Sequence, residues 1–330
     1  MQRMSQSFSI RQAAVKTSVL ALSLVASAAS IAAENGLQRY SAGVGGSDMT
    51  SPVVPGWYWQ TAMISYKADD KPDSAGRSLK EYVGPKVTLS AQTTAFLNRL
   101  TFVSTERVMG GNLGFTAMLP IGQRKADLRL DGVNKYAPRS GQFTGIGDLE
   151  FGPLVHWEIG DHQAANFVPT IILPTGDYDA NRPTNLGYGN FFTFRPSFQY
   201  AFIGDGWDVG GRAVLSFNTR NKATGYYSGN MFNVDWQAMK FVTEDVRVGL
   251  QGYFVRQINK DTCKSEDAQD VSCGNALTVS NRTSVNAVGP AVAWLKNGGE
   301  FLLEGKFLKE FDAKNRTEGK VFWLTLSKPL

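Results

Sequence analysis

Histidine and cysteine are close to absent from this chain, with two of each in 330 residues. A serine or cysteine hydrolase needs a base beside its nucleophile, and only His156 and His162 could serve. His156 falls near the end of a predicted strand and His162 in a tight turn, and neither has a serine placed to use it. Asp148 and Glu150 are read as wall residues paired with arginine, not as an acid–base couple. Gly45-Gly46 and Gly145-Ile146-Gly147 are not followed by a helical pattern, so no phosphate loop is implied. The sequence therefore predicts neither an enzyme nor a cofactor. Cys263 and Cys273 share one polar stretch, 259–281, that contains no histidine. Two nearby cysteines in an exported chain point to a disulfide closing a loop, with a metal site the weaker alternative.

Long apolar runs are equally scarce. The stretch 19–29 is apolar but too short to span a bilayer as a helix. Arg3, Arg11 and Lys16 precede it, and small residues lead to Ala32-Ala33. That pattern predicts a secretory signal over residues 1–33, cut near Ala33. The formal charge is +5, from 34 basic and 29 acidic residues, and three of the positives belong to the signal. No basic stripe remains that would argue for nucleic acid as a partner.

What the chain does have is alternation. Phe192, Phe194, Phe198, Tyr200 and Phe202 alternate with Thr193, Arg195, Ser197, Gln199 and Ala201. Val209, Ala213, Leu215 and Phe217 alternate with Arg212, Ser216 and other small or polar residues. Period two marks strands with one apolar and one polar face. Counting such runs predicts about twelve strands, with ten to fourteen allowed. They fall near 56–66, 93–104, 110–120, 147–159, 164–173 and 190–202, then 206–218, 230–241, 245–258, 282–295, 299–309 and 319–330. The connections alternate strictly between tight and long, and the tight ones carry the Gly, Asp and Asn that sharp turns use. A soluble sandwich has no reason to sort its loops in this way. An even strand number with tight turns on one rim and long loops on the other predicts a closed antiparallel transmembrane β-barrel of the outer membrane.

The tryptophans support that orientation. Trp57, Trp157, Trp207 and Trp294 all fall at the tight-turn ends of their strands, where a periplasmic aromatic girdle belongs. The alternation also predicts a polar interior. Its lining is Glu150, His156, Glu158, Arg195, Gln199, Asp208, Arg212, Asp235, Arg247, Gln251, Arg282, Asn286, Glu304 and Lys306. Opposite charges are interspersed there, so the residues pair across strands and form no single-sign selectivity ring. Residues 34–55, rich in Gly, Ser and Pro, are a leader that could fold into the lumen ahead of the barrel at 56–330.

Several ordered motifs carry a resemblance across the mature chain. They are Glu34-Asn35-Gly36-Leu37 with Tyr40, Pro55-Gly56-Trp57-Tyr58, Gly145-Ile146-Gly147-Asp148-Leu149 and Pro174-Thr175-Gly176-Asp177-Tyr178. They continue with Asn185-Leu186-Gly187-Tyr188-Gly189-Asn190, Asn218-Thr219-Arg220-Asn221, Thr224-Gly225-Tyr226-Tyr227-Ser228-Gly229, and Gly252-Tyr253 with Gln257 and Asp261. In these the chain resembles the outer-membrane family named for the meta-pathway of phenol degradation, in its SphA-like branch. The resemblance implies a Gram-negative outer-membrane transporter for passive uptake of small hydrophobic or aromatic compounds linked to catabolism. Its partners are then outer-membrane lipid, the outer-membrane assembly machinery and a small hydrophobic solute. The alternative from another class is a structural or adhesive barrel with a closed lumen and partner-binding loops.

Overall fold

The computed structural model describes residues 39–49, 54–78, 81, 87–130, 139–180, 182, 184–263, 282–297 and 299–330. The predicted signal and its cleavage site lie outside them, as does Cys273. The strands in chain order are β1 (Gly56–Asp70), β2 (Val87–Val108), β3 (Gly111–Leu130), β4 (Arg139–Ile146) and β5 (Glu150–Ile159). They continue as β6 (Gln163–Ile172), β7 (Thr193–Gly204), β8 (Trp207–Asn218), β9 (Tyr226–Tyr227) and β10 (Met231–Phe241). The last are β11 (Val246–Gln257), β12 (Thr262–Cys263), β13 (Ser284–Lys296), β14 (Phe301–Lys314) and β15 (Glu318–Pro329).

Every pairing is antiparallel, and the sheet closes on itself because β1 pairs with both β2 and β15. β4 and β5 both pair with β3, one with its outer half and one with its inner half, so together they occupy one position. The wall is therefore a closed twelve-strand barrel. Among the described residues the two short strands β9 and β12 pair only with each other and tie two long connections together.

Residue parity decides which side chains enter. In β8, Asp208, Arg212, Val214 and Ser216 are buried, while Trp207, Val209 and Phe217 are exposed. The same split holds in β7 and β10. The outer face carries exposed Phe96, Leu100, Phe115, Phe167, Phe194, Phe198, Leu250, Val292, Phe307 and Phe322. A belt of this size is far beyond what a soluble monomer leaves in water. Hydrocarbon is the solvent that suits it, and a closed barrel leaves no unpaired edge within that hydrocarbon.

Two tight turns show how the short rim is made. Asp205-Gly206 has φ of 53° and 77°, and Met109-Gly110 has 52° and 81°. Positive φ at both central residues is the twist that two-residue hairpins need. The long rim differs from the sequence reading. β1 runs on to Asp70, β2 begins at Val87 and β3 reaches Leu130, within stretches read as loops. Gln123 and Lys125 are exposed on the outer face there. Beyond the lipid the outer face no longer has to be apolar, so the alternation that marks a strand fades while the pairing continues.

Candidate solute path through the lumen

The bore of the barrel is occupied by its own leader. Residues 39–49 run inside the wall and end in a 3-10 turn, Ser47–Met49. Asp235 of β10 accepts from Tyr40 Oη at 2.6 Å, from Gly43 N at 2.9 Å and from Gly45 N at 2.8 Å. Glu304 of β14 accepts from Ser47 N at 2.7 Å, and Lys306 Nζ donates to the Gly45 carbonyl at 2.7 Å. Gln199 of β7 donates to the Met49 carbonyl at 2.8 Å, and Arg212 of β8 pairs with Asp48 at 3.0 Å. Burial pushes the Asp48 carboxyl up, but the Arg212 and Arg99 guanidiniums outweigh it and hold it below the usual carboxylate range.

The glycines of this leader have a steric reason. Gly43 sits at φ 83°, a conformation L side chains rarely adopt. A Cβ on Gly46 would run into Glu304, Gln251 and Lys306. Gly45-Gly46 is thus a close-approach segment that lets backbone pack onto charged wall residues.

At its outer end the leader grips a break in the wall. Arg39 pairs with Asp148 at 3.1 Å and donates to the Gly189 carbonyl at 2.8 Å. Asp148 lies between β4 and β5 and also accepts from Gly176 N and Tyr188 N, each at 3.0 Å. Ile146 and Asp177 exchange two further bonds of 2.9 Å. Three of the motif stretches quoted from the sequence therefore meet at one place. They cover the edge of β4 that has no strand partner among the described residues. Gly176 lies so close to Gly147 and Gly187 that a Cβ would meet their backbone at 2.7 and 2.8 Å.

Two cavities flank the leader. The one toward the long loops is lined by Tyr40, Tyr66, Tyr188 and Tyr253, by Ile64, Leu97, Ile172 and Leu186, and by Lys71, Arg124, Glu310 and Arg316. The one toward the tight turns is lined by Tyr58, Val103, Leu154, Val168, Leu295 and Leu302, with Gln60, Arg99 and Lys328. Tyr40, Met118 and Glu150 touch both. The acids of the upper chamber are paired: Asp148 with Arg39, Glu150 with Arg195, and Glu310 with Arg316 at 3.3 Å.

Of the residues read as lining the interior, Glu150, His156, Arg195, Gln199, Asp208, Arg212, Asp235, Arg247, Gln251, Glu304 and Lys306 are buried. They divide by task. Gln199, Arg212, Asp235, Glu304 and Lys306 hold the leader, and Arg195 and Arg247 each donate to one of its carbonyls, those of Arg39 and Ser47, at 3.4 Å. Arg247 and Asp208 pair with each other at 2.8 Å, with both side chains 0% exposed. His156 Nδ1 meets Asn166 Oδ1 at 2.8 Å. Glu158 keeps the inward parity of β5 but is exposed at the tight-turn rim.

Arg282 and Asn286 are corrections. Arg282 is exposed and precedes β13, and Asn286 faces outward, opposite Phe254 and Phe311. The inward residues of β13 are Val285, Ala287, Ala291, Ala293 and Leu295. Both faces of this strand are small or apolar, so alternation carried no sign there. Tyr188 and Arg124 of the upper chamber were missed because they stand in a loop and a strand extension where periodicity fades. Tyr66 and Tyr253 lie within predicted strands and were passed over because the lining was drawn from charged, amide and imidazole side chains.

The four girdle tryptophans stand at the tight-turn rim. Trp57, Trp207 and Trp294 are 49%, 45% and 40% exposed, and Trp157 is half-buried and donates to the Met109 carbonyl at 3.0 Å.

Among solved structures, the chain is similar to the COG4313 outer membrane channel from Pseudomonas putida F1. The TM-score is 0.69 and the identity 12%, over 87% of this chain and all of that one. The translocator domain of the autotransporter NalP from Neisseria meningitidis is a more distant likeness. Its TM-score is 0.46 and its identity 9%, over 86% of this chain and 92% of that one. Among curated proteins nothing matches. Residues 69–326, which hold all the strands but the first and the end of the last, match one family throughout, and the chain belongs to it: the family described as “Putative MetA-pathway of phenol degradation”.

Proposed function

We propose that this protein is a passive outer-membrane channel for small hydrophobic or aromatic solutes, in which the 39–49 leader is the barrier that must yield. The observation that carries the reading is the pair of largely apolar chambers on either side of a leader that polar contacts clasp at its centre and that Tyr40 and Val44 pack into the wall. Apolar walls with a few placed polar groups suit small-molecule passage. The description of the similar Pseudomonas structure as a channel, and of the family by phenol degradation, agree with it. The test is uptake of labelled toluene by cells with a lipopolysaccharide outer leaflet that carry the full chain or a chain lacking residues 34–55. Uptake above cells without the protein is expected for both, and faster for the second. A latched leader also suits the alternative of a sealed structural barrel, and a shortened chain that stays impermeable would decide for that.

The upper chamber sharpens the solute class. Lys71 follows β1 and lines it, and its amine has no hydrogen bond or ion pair among the described residues. Among the described residues Arg124 bonds only to neutral partners, Thr93, the Asn185 carbonyl and Tyr188. An arene bearing an anionic group fits this wall better than a neutral one. Burial pulls the Lys71 amine down to about 8. Its charge is therefore present below that value and lost as the pH rises through it. Benzoate is expected to bind more tightly than benzyl alcohol at neutral pH, with the difference shrinking in Lys71→Met and above about pH 8. Equal binding at neutral pH would remove the preference and leave the channel reading standing.

The same reading carries export with cleavage near Ala33, insertion by the outer-membrane assembly machinery, and a Cys263–Cys273 disulfide that resists alkylation until reduced.

A further inference from the structure

Three lysines stand side by side on the lipid-facing surface. Lys67 of β1 pairs in register with Lys320 of β15, and Lys320 with Lys309 of β14. All three are exposed. Directly opposed residues on neighbouring strands hold their Cβ atoms only about 5 Å apart, and like charges so placed repel. None of the three forms an ion pair or hydrogen bond among the described residues. The neighbouring acids, Asp69 and Glu318, lie one step further out, and Glu318 is engaged by Ala313 N at 2.9 Å. A row of this kind raises the energy of the bare barrel and needs an anion to be favourable.

Its height says which anion. Lys67 lies ten residues beyond the girdle residue Trp57 in β1. At about 3.3 Å per residue and a tilt of about 40°, the row stands about 25 Å above the periplasmic girdle, the height of the apolar band of such barrels. One row inward, Phe322 of β15 faces Phe307 of β14, both exposed. Cations at the outer hydrocarbon boundary with aromatic side chains beneath them match a phosphorylated headgroup above acyl chains.

We propose that Lys67, Lys309 and Lys320 form a binding site for a phosphorylated glycolipid of the outer leaflet, of the lipid A class, with Phe307 and Phe322 against its acyl chains. The lysine charges meet the sugar phosphates, and the lipid relieves their repulsion. The site is separate from the solute path and stands whether or not the barrel conducts.

Thermal unfolding of the full chain in detergent tests this, with bis-phosphorylated lipid A as probe. Lipid A is expected to raise the unfolding temperature of the native protein by several degrees, because a ligand bound only by the folded state stabilises it. The triple variant Lys67→Gln, Lys309→Gln, Lys320→Gln should lose that shift. Without lipid it should unfold at the same temperature as the native protein or higher, since a repulsion has been removed. A native protein unmoved by lipid A, or a triple variant that keeps the shift, overturns the proposal. So does inorganic phosphate that reproduces the full shift, because the site would then hold a free anion and not a lipid.

Discussion

Replacing Asp235 with alanine is expected to raise ionic conductance of the reconstituted protein by at least about tenfold. Asp235 accepts three hydrogen bonds from the leader, from Tyr40, Gly43 and Gly45. Bonds to a charged group contribute about 1.5–3 kcal/mol each. Even with strong non-additivity, their loss removes several kcal/mol from the docked leader, and each 1.4 kcal/mol is roughly a tenfold change in its occupancy. The wall itself keeps its backbone pairing, because β10 remains bonded to β8 and β11 along its length. Single-channel recording reads the conductance, and protease cleavage within residues 39–49 reports release. A released leader with unchanged flux would show that the barrier lies elsewhere.

The second large effect concerns the wall. Arg247→Met is expected to lower barrel stability by about 3–5 kcal/mol, because it leaves the Asp208 carboxylate buried without its cation. Arg247 and Asp208 are fully buried, and Gln237 also bonds to Asp208. The shift is read from the denaturant midpoint at which the folded barrel disappears on a semi-native gel. Adding Asp208→Asn should recover part of the loss, since a neutral amide tolerates that buried site better than a carboxylate that has lost its guanidinium. If Arg247→Met alone leaves the midpoint in place, the pair is solvated through the lumen and the low-dielectric argument fails.

Much of this barrel is legible in the sequence because lipid imposes a rule on every second residue. Phe194 and Phe198 had to face out, and with them Arg195 and Gln199 had to face in. The rule fails where lipid ends or where both faces are apolar. Lys125 and Gln123 belong to a strand that reads as a loop, and β13 gives Asn286 no reason to choose a face. A place for the leader in the lumen was open to the sequence, but its docking partners were not, for another reason. Nothing in Gly43, Gly45 or Gly46 names the carboxylates of Asp235 and Glu304, which lie about 190 and 260 residues away along the chain. Tyr188 and Leu186 of the upper chamber likewise depend on how the 173–192 segment folds over the break between β4 and β5.

The clasp on the leader also dictates a sequence of events in biogenesis. Its partners come from β7, β8, β10, β11 and β14, so a segment that precedes the whole wall in the chain has nowhere to dock until nearly the whole cylinder stands. Wall closure and sealing are then distinct steps, and a newly completed cylinder is open until its own N-terminal strap settles. On the channel reading proposed above, a brief leak is expected with every copy inserted, shortened by whatever speeds the strap home.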